Sequence, residues 1–375
     1  MRRGCQDEAV TRPDPSELWK ALPGEARAFL TALRNGAEPS ARLALVGGAV
    51  RDLLLAQSSA SPDLDVVLEG GDTEALARNL GAPFTFHPAY GNATLRLPEG
   101  LDADLVRART ESYPLPGGPP NPGPGTLEDD LARRDFSINA FALELLPHGK
   151  QRLLSVPGGL SDLEARQLRP LHALSFHDDA SRLVRGARLA ARLDLHAHPE
   201  LLAQVPAALE VAPQTPRLAA ELRLLLEEPL PGKAARVLEG WGAAELLPAG
   251  AADLLERLDV LPGSKTRTLY AAALLSLTRH PGDLDALGLG LRPAELLTRA
   301  RSGQVFPAGS AEATLHLLLG WSLPYAPLQG RDLLEMGLTP GPDLGRMLGW
   351  LAGQRRDKQF LSAEEERNAV LERMR

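Results

Sequence analysis

Between Leu43 and Leu68 the chain changes its local pattern three times, and this stretch limits what the protein can be. A short apolar run, Leu43-Ala44-Leu45-Val46, has the length of a buried strand and stops at Gly47-Gly48. Ala49 to Leu55 then reads as a helix start, and Asp63-Leu64-Asp65-Val66-Val67-Leu68 re-extends the chain. Alternate side chains of a strand share a face, so Asp63 and Asp65 point the same way. Carboxylates that close repel unless a cation lies between them. Glycines ahead of a helix let backbone N–H groups approach an anion, and Arg51 adds a forked donor suited to phosphate. One stretch therefore offers both a phosphate cradle and a divalent-metal platform.

At 375 residues the chain exceeds one compact core, and two or more domains are expected. Its lone cysteine, Cys5, excludes an intramolecular disulfide and a cysteine-rich zinc site, and no disulfide-linked partner is expected. No apolar run reaches the ~20 residues needed to span a bilayer, and Met1 to Asp7 lacks the apolar core of a secretory signal. The expectation is a soluble cytoplasmic protein with no membrane partner. A net charge of −7 argues against indiscriminate coating of nucleic acid, but leaves room for a local basic groove.

Residues 1–40 read as a helical extension, with Leu18, Leu22, Ala26, Phe29 and Leu33 on one face. Beyond the central stretch, Ala93 to Leu97 and Ala103 to Val106 alternate as a hairpin around Pro98-Glu99-Gly100, which puts Asp104 on a strand able to face Asp63 and Asp65 across the sheet. Pro114 to Gly125 is built of Pro, Gly, Leu and Asn and excludes helix and central strand; it reads as a mobile loop, a lid between site segments. Thr126, followed by Glu128-Asp129-Asp130, is a helix N-cap signal. Arg182, Arg185, Arg188 and Arg192 fall on one helical stripe, and from about residue 200 helical segments rich in Leu and Ala dominate.

Taken singly, each feature has an ordinary explanation: a glycine pair as a tight turn, Asp-x-Asp as a surface loop, an arginine stripe as a solvated face. Together they are what nucleotidyl transfer needs, namely hard cations on oxygen ligands, an anion cradle and an arginine-lined helix. No Gly-x-x-x-x-Gly-Lys-Ser/Thr loop occurs, which excludes a P-loop hydrolase. His177-Asp178 stands without the further histidines that a metal phosphohydrolase requires.

With these residues in view, the chain resembles the class II tRNA nucleotidyltransferase/poly(A) polymerase family. Gly47-Gly48-Ala49-Val50-Arg51-Asp52 with Asp63-Leu64-Asp65 is similar to its catalytic motif. Arg133-Arg134-Asp135-Phe136-Ser137-Ile138-Asn139-Ala140 resembles its ribose-selecting motif, and Asp178-Asp179-Ala180-Ser181-Arg182 its base-selecting motif. Arg109-Thr110-Glu111-Ser112-Tyr113, Pro157 to Leu163 and Gly330-Arg331-Asp332-Leu333 add further matches, so the resemblance spans about residues 40 to 360. It implies a mixed α/β nucleotidyltransferase head at 41–170, followed by an all-α neck at 171–230, body at 231–320 and tRNA-binding tail at 321–375. It also implies two Mg²⁺ ions on Asp63 and Asp65, with Asp104 as the third catalytic carboxylate. Gly47, Gly48, Arg51 and Asp52 would belong to the triphosphate site; Arg134, Asp135 and Asn139 would lie by the ribose. Asp179 and Arg182 would read the base, with Arg185 and Arg188 lining the same pocket.

The expected activity is addition of CCA, or of its terminal A, to the 3′ end of tRNA from CTP and ATP, with the tRNA acceptor arm as partner. Asp178 stands for the family's usual Glu, and Ser155 for a usual Asp. The 114–125 loop keeps nearly the family's length, which weighs against a CC-only enzyme, although it lacks the usual charges. A poly(A) polymerase on the same fold is the first alternative, and the short, mixed Arg355-Arg356-Asp357-Lys358 and Arg373-Met374-Arg375 segments weigh against it. A non-catalytic RNA-binding protein of the same fold is the second, and retention of all three acids weighs against that.

Overall fold

The computed structural model describes residues 13–56, 63–88, 90–97, 101–263, 265–278, 291–302, 304, 306–320, 326–356, 359 and 362–374. Cys5, the Pro98 to Gly100 turn, Asp357, Lys358 and Arg375 lie outside them. The chain forms two compact units, Met1–Arg182 with Asp194–Pro216, and Leu183–Leu193 with Arg217–Arg375.

In the first unit the strands are β1 (Arg42–Val46), β2 (Leu64–Glu69), β3 (Phe84–His87), β4 (Asn92–Arg96), β5 (Asp102–Arg107), β6 (Arg109–Ser112), β7 (Asn121–Pro124), β8 (Phe141–Leu145) and β9 (Gln151–Ser155), with a short parallel pair, β10 (Gln167–Leu168) and β11 (His196–Ala197), apart from them. Seven of them form a sheet in the order β3-β4-β5-β2-β1-β8-β9, with β2 and β5 parallel and the other neighbours antiparallel. Leu43, Ala44, Leu45 and Val46 are all buried, because helices cover both faces of the central strands. Helices α1 (Pro15–Ala21) and α2 (Gly24–Gly36) pack on β9 and α4 (Thr73–Asn79) respectively, and α3 (Gly48–Leu54) packs on β1 and β8. The apolar face expected before residue 40 is buried, but Pro23 divides it into two helices because proline neither donates nor fits a helix interior.

Helix α5 (Leu127–Ala132) starts at the capping box of Thr126 and Asp129 and buries Leu127 and Leu131 against Ala44, Val46, Val67 and Ala142. After α6 (Gly159–Glu164) and α7 (Ser175–Asp178), α8 (Ser181–Leu193) begins in this unit. Phe136 meets Phe176 edge-to-face at 6.2 Å between centroids, worth about 0.5–1.5 kcal/mol beyond burial, and so ties the Arg133–Ala140 motif to α7. The unit closes with α9 (Pro199–Leu202) and α10 (Val205–Val211).

The 114–125 stretch departs from expectation. Its second half pairs with β6 as a two-stranded ribbon, Arg109 opposite Pro124 and Ser112 opposite Asn121. An edge strand tolerates proline because an outward N–H is not needed, and Gly123 and Gly125 allow close approach: a Cβ at Gly125 would lie 2.7 Å from the Arg109 carbonyl carbon. The tip is docked as well, since Gly117 donates its N–H to the His177 carbonyl at 2.9 Å.

The described residues of the second unit are helical: α11 (Leu218–Leu225), α12 (Pro231–Gly240), α13 (Ala251–Val260), α14 (Arg267–Leu275), α15 (Arg292–Ala300), α16 (Ala311–Leu318), α17 (Gly330–Glu335), α18 (Pro342–Arg356) and α19 (Ala363–Met374). Helices α12 and α13 touch backbone to backbone at Gly232, where a Cβ would lie 2.2 Å from the Glu256 nitrogen. Near the C-terminus Leu328, Leu333, Met347, Leu351 and Val370 form a small core, clipped by the buried Arg355–Glu366 pair. No helix among the described residues is long and apolar enough to cross a membrane.

Candidate active site

At the end of β1, Gly47 takes φ 74° and ψ −134°, a backbone conformation open essentially to glycine, and its N–H is held by the Phe141 carbonyl at 3.1 Å. The missing side chain is used: a Cβ there would sit 2.8 Å from Arg134 Nη1 and 3.8 Å from Asp65 Oδ2. Gly47 thus brings the second arginine of one motif beside a carboxylate of another. Gly48 opens α3, and the buried Arg51 follows one turn on.

Arg51 does not stand free. Its Nε and Nη2 donate to Asp52 Oδ1 at 2.8 and 2.7 Å, and its Nη1 donates to Asn139 Oδ1 at 2.6 Å. Asn139 Nδ2 donates in turn to Asp135 Oδ1 at 3.1 Å. Residues assigned to triphosphate and to ribose therefore form one hydrogen-bonded chain. Arg134 Nη2 donates to the buried Asp130 at 3.0 Å, while its Nε is buried without a protein partner, an arrangement that suits an anionic ligand.

Asp63 precedes β2, Asp65 and Asp104 are register partners on the parallel strands β2 and β5, and β4 and β5 form the expected antiparallel pair; all three acids are exposed. Thr94, opposite Asp104 on β4, donates its hydroxyl to Asp104 Oδ1 at 2.7 Å, and His87 Nε2 lies 3.4 Å from the same hydroxyl. Among the described residues no three His, Cys, Asp or Glu side chains converge into a closed metal cage. Open carboxylates suit Mg²⁺, which is commonly held by one or two acids and completed by water and substrate phosphates, so the donor set fits that ion.

Asp179 is buried and accepts from the Ser181 N–H at 3.0 Å and its hydroxyl at 2.5 Å, which caps α8. Arg182, also buried, donates from Nη1 to Ser175 Oγ at 2.8 Å, and from Nη2 to Tyr113 Oη at 3.2 Å and the Arg133 carbonyl at 3.1 Å. Burial pushes the Glu111 carboxyl up, but Arg133, Arg109 and the Tyr113 hydroxyl outweigh it and hold it below the usual range. Burial, with the Arg182 charge, lowers His172.

Arg185 and Arg188 belong to the second unit. Arg185 Nε lies 3.4 Å from Glu221; Arg188 pairs with Glu221 and, at 2.9 Å, with Glu228; Arg192 reaches Glu228 at 3.5 Å. Most of the arginine stripe is thus matched by acids of its own unit. The supporting roles of Thr94, Asp130 and Ser175 carried no sequence signal, whereas Glu111 and Tyr113 stood in a matched motif without an assigned task.

The Poly A polymerase head domain family matches residues 43–169. Over 368 residues the chain is 55% identical to a CC-adding tRNA nucleotidyltransferase of Deinococcus radiodurans, covering 96% of this chain and 97% of that protein. An A-adding tRNA nucleotidyltransferase of Halalkalibacterium halodurans is 43% identical over 156 residues, 40% of this chain and 36% of that one. Among solved structures, a CCA-adding enzyme in an apo form superposes with a TM-score of 0.66 at 25% identity, covering 92% of this chain and 95% of its own.

Proposed function

The chain belongs to the tRNA nucleotidyltransferase family, and on that premise we propose that it transfers CMP from CTP to the 3′ end of tRNA, adding the two C residues of CCA. The observation that carries this reading is the assembly at Gly47: Arg134, Asp65 and the Arg51–Asn139–Asp135 chain meet beside a strand pair that presents Asp65 opposite Asp104. The near full-length identity to a CC-adding relative supports the choice of C and outweighs the length of the 114–125 segment.

Asp63 and Asp65 would hold two Mg²⁺ ions, with triphosphate oxygens and water completing the coordination. When bound, such ions neutralise the developing charge and activate a hydroxyl. Asp104, steadied by Thr94, orients the RNA 3′-hydroxyl and takes up its proton. That oxygen attacks the α-phosphate of CTP, a new phosphodiester bond forms, and the bond to the β-phosphate breaks to release pyrophosphate. Arg51, held by Asp52 and Asn139, and Arg134, with its buried Nε, receive the phosphate charge. Asn139 and Asp135 lie by the sugar, and Asp179 and Arg182 read the base in place of a template. We assign Arg185 and Arg188 to holding α8 through Glu221 and Glu228. The helices of the second unit would grip the acceptor arm by shape and phosphate contacts. Such a substrate accords with a cytoplasmic location.

The test incubates the protein and Mg²⁺ with tRNA transcripts ending before CCA, after C and after CC, giving CTP, ATP or both. Growth of the first transcript by two C residues, with no A added to the third, is the expected result. Growth to full CCA, addition of A alone to the third transcript, or long A tails would replace the reading.

A further inference from the structure

Arg182 is anchored unusually tightly for a side chain with four rotatable bonds. Three of its five N–H donors are taken, by Ser175, by the Arg133 carbonyl and by the Tyr113 hydroxyl, and its guanidinium carbon lies 5.7 Å from the centre of the Tyr113 ring. We propose that Tyr113 is a positioning residue for nucleotide choice, its hydroxyl fixing the Arg182 guanidinium in the orientation that reads the base. This rests on the reading of Arg182 as a base-facing group.

The direction of each hydrogen bond supports the assignment. Tyr113 has one hydroxyl proton and gives it to Glu111 Oε2 at 3.1 Å, so toward Arg182 it acts only as an acceptor, the partner a guanidinium needs. Glu111 is kept ionised by Arg109 at 2.9 Å and Arg133 at 3.0 Å, which keeps the tyrosine proton on its side. The platform beneath Tyr113 is also fixed. On one side lies β6, paired with β7; on the other the hairpin tip is docked through Gly117, at φ +67°, where a Cβ would meet Thr215 Oγ1 and the Val211 carbonyl, each at 2.9 Å. A guanidinium held this way keeps its two remaining donors, one on Nε and one on Nη1, in fixed directions. Cytosine presents an acceptor at N3 where uracil carries a hydrogen, so fixed donors accept the one and oppose the other.

The test measures single-nucleotide incorporation from CTP alone and UTP alone, onto a tRNA transcript lacking CCA, by wild type, Tyr113→Phe, Arg182→Lys and the double variant. Tyr113→Phe keeps the ring and removes only the hydroxyl. The expected result is an about tenfold fall in the preference for CTP over UTP, carried by a higher KM for CTP with kcat within about twofold. In the Arg182→Lys background the same change should then add less than about twofold. If Arg182→Lys loses the preference while Tyr113→Phe keeps it, or if the two losses simply add, the positioning role is wrong and the base-reading role stands. If Arg182→Lys keeps the preference, the base-reading role itself is wrong. A loss of kcat alone in Tyr113→Phe would mark a merely structural contact and overturn the proposal.

Discussion

The two glycines at the end of β1 look interchangeable in sequence but should respond to alanine with opposite signs. Gly47→Ala places a side chain at φ 74°, ψ −134°, a strain of about 1–3 kcal/mol. For a unit of this size each kcal/mol moves the melting midpoint by about 2–4 °C, so a fall of several degrees is expected. The new methyl would lie 2.8 Å from Arg134 Nη1, and the arginine tip, being flexible, swings away and strains its 3.0 Å bond to Asp130. On the proposed role of Arg134, loss of one charge-assisted contact to the triphosphate is worth about 1.5–3 kcal/mol, which is roughly 10- to 100-fold in kcat/KM for CTP. Gly48 has no left-handed φ, and its Cβ would rest 3.5 Å from Arg51 Nη2, an ordinary contact. Alanine there restricts the unfolded chain and should stabilise by about 0.4–1 kcal/mol. Scanning calorimetry of both variants, with CTP kinetics on Gly47→Ala, makes the comparison. If both melt together, or if Gly47→Ala keeps wild-type kinetics, the packing of Arg134 over Gly47 is not what the site depends on.

Two further perturbations probe other parts of the chain. Gly232→Ala drives a methyl into the Glu256 backbone, 2.2 Å away, and must part α12 from α13; a loss of about 3 kcal/mol or more, read by urea unfolding, is expected. The Arg42 hydrogen bond holds Glu128 down to about 2 from its ordinary 4.5. Its stabilisation is therefore full above about pH 4.5 and is lost as pH falls through about 2, so Glu128→Gln should be less stable than wild type at pH 7, with the difference shrinking steadily below pH 4.5, in acid titrations followed by circular dichroism.

What the sequence could reveal followed the range of the interaction involved. The β1–Gly–Gly–α3–β2 order, the Thr126 cap and the shared face of Asp63 and Asp65 depend on neighbours in sequence or on strand alternation, and all were legible, whereas the pairing of Asp65 with Asp104 joins strands 39 residues apart. The Arg51–Asn139 bond joins residues 88 apart, and no local pattern encodes it. The 114–125 hairpin was hidden by its own prolines, which argue against a central strand but not against an edge ribbon whose glycines fit under β6. The arginine stripe was visible as a periodicity. That it divides, with Arg182 anchored by Tyr113 and Ser175 while Arg188 pairs with Glu221 and Glu228, depended on acids and hydroxyls supplied from other elements.

If the carboxylates leading into and along β2 carry a metal-dependent transfer to RNA, neutralising one of them must stop it. Asp65→Asn removes one charge and keeps the side-chain shape. Single-turnover extension of a tRNA transcript lacking CCA, with labelled CTP and Mg²⁺, is the most direct measurement, run beside thermal unfolding in EDTA. Wild type is expected to add C residues, while Asp65→Asn adds none and still unfolds cooperatively. Extension by Asp65→Asn at the wild-type rate would contradict that expectation.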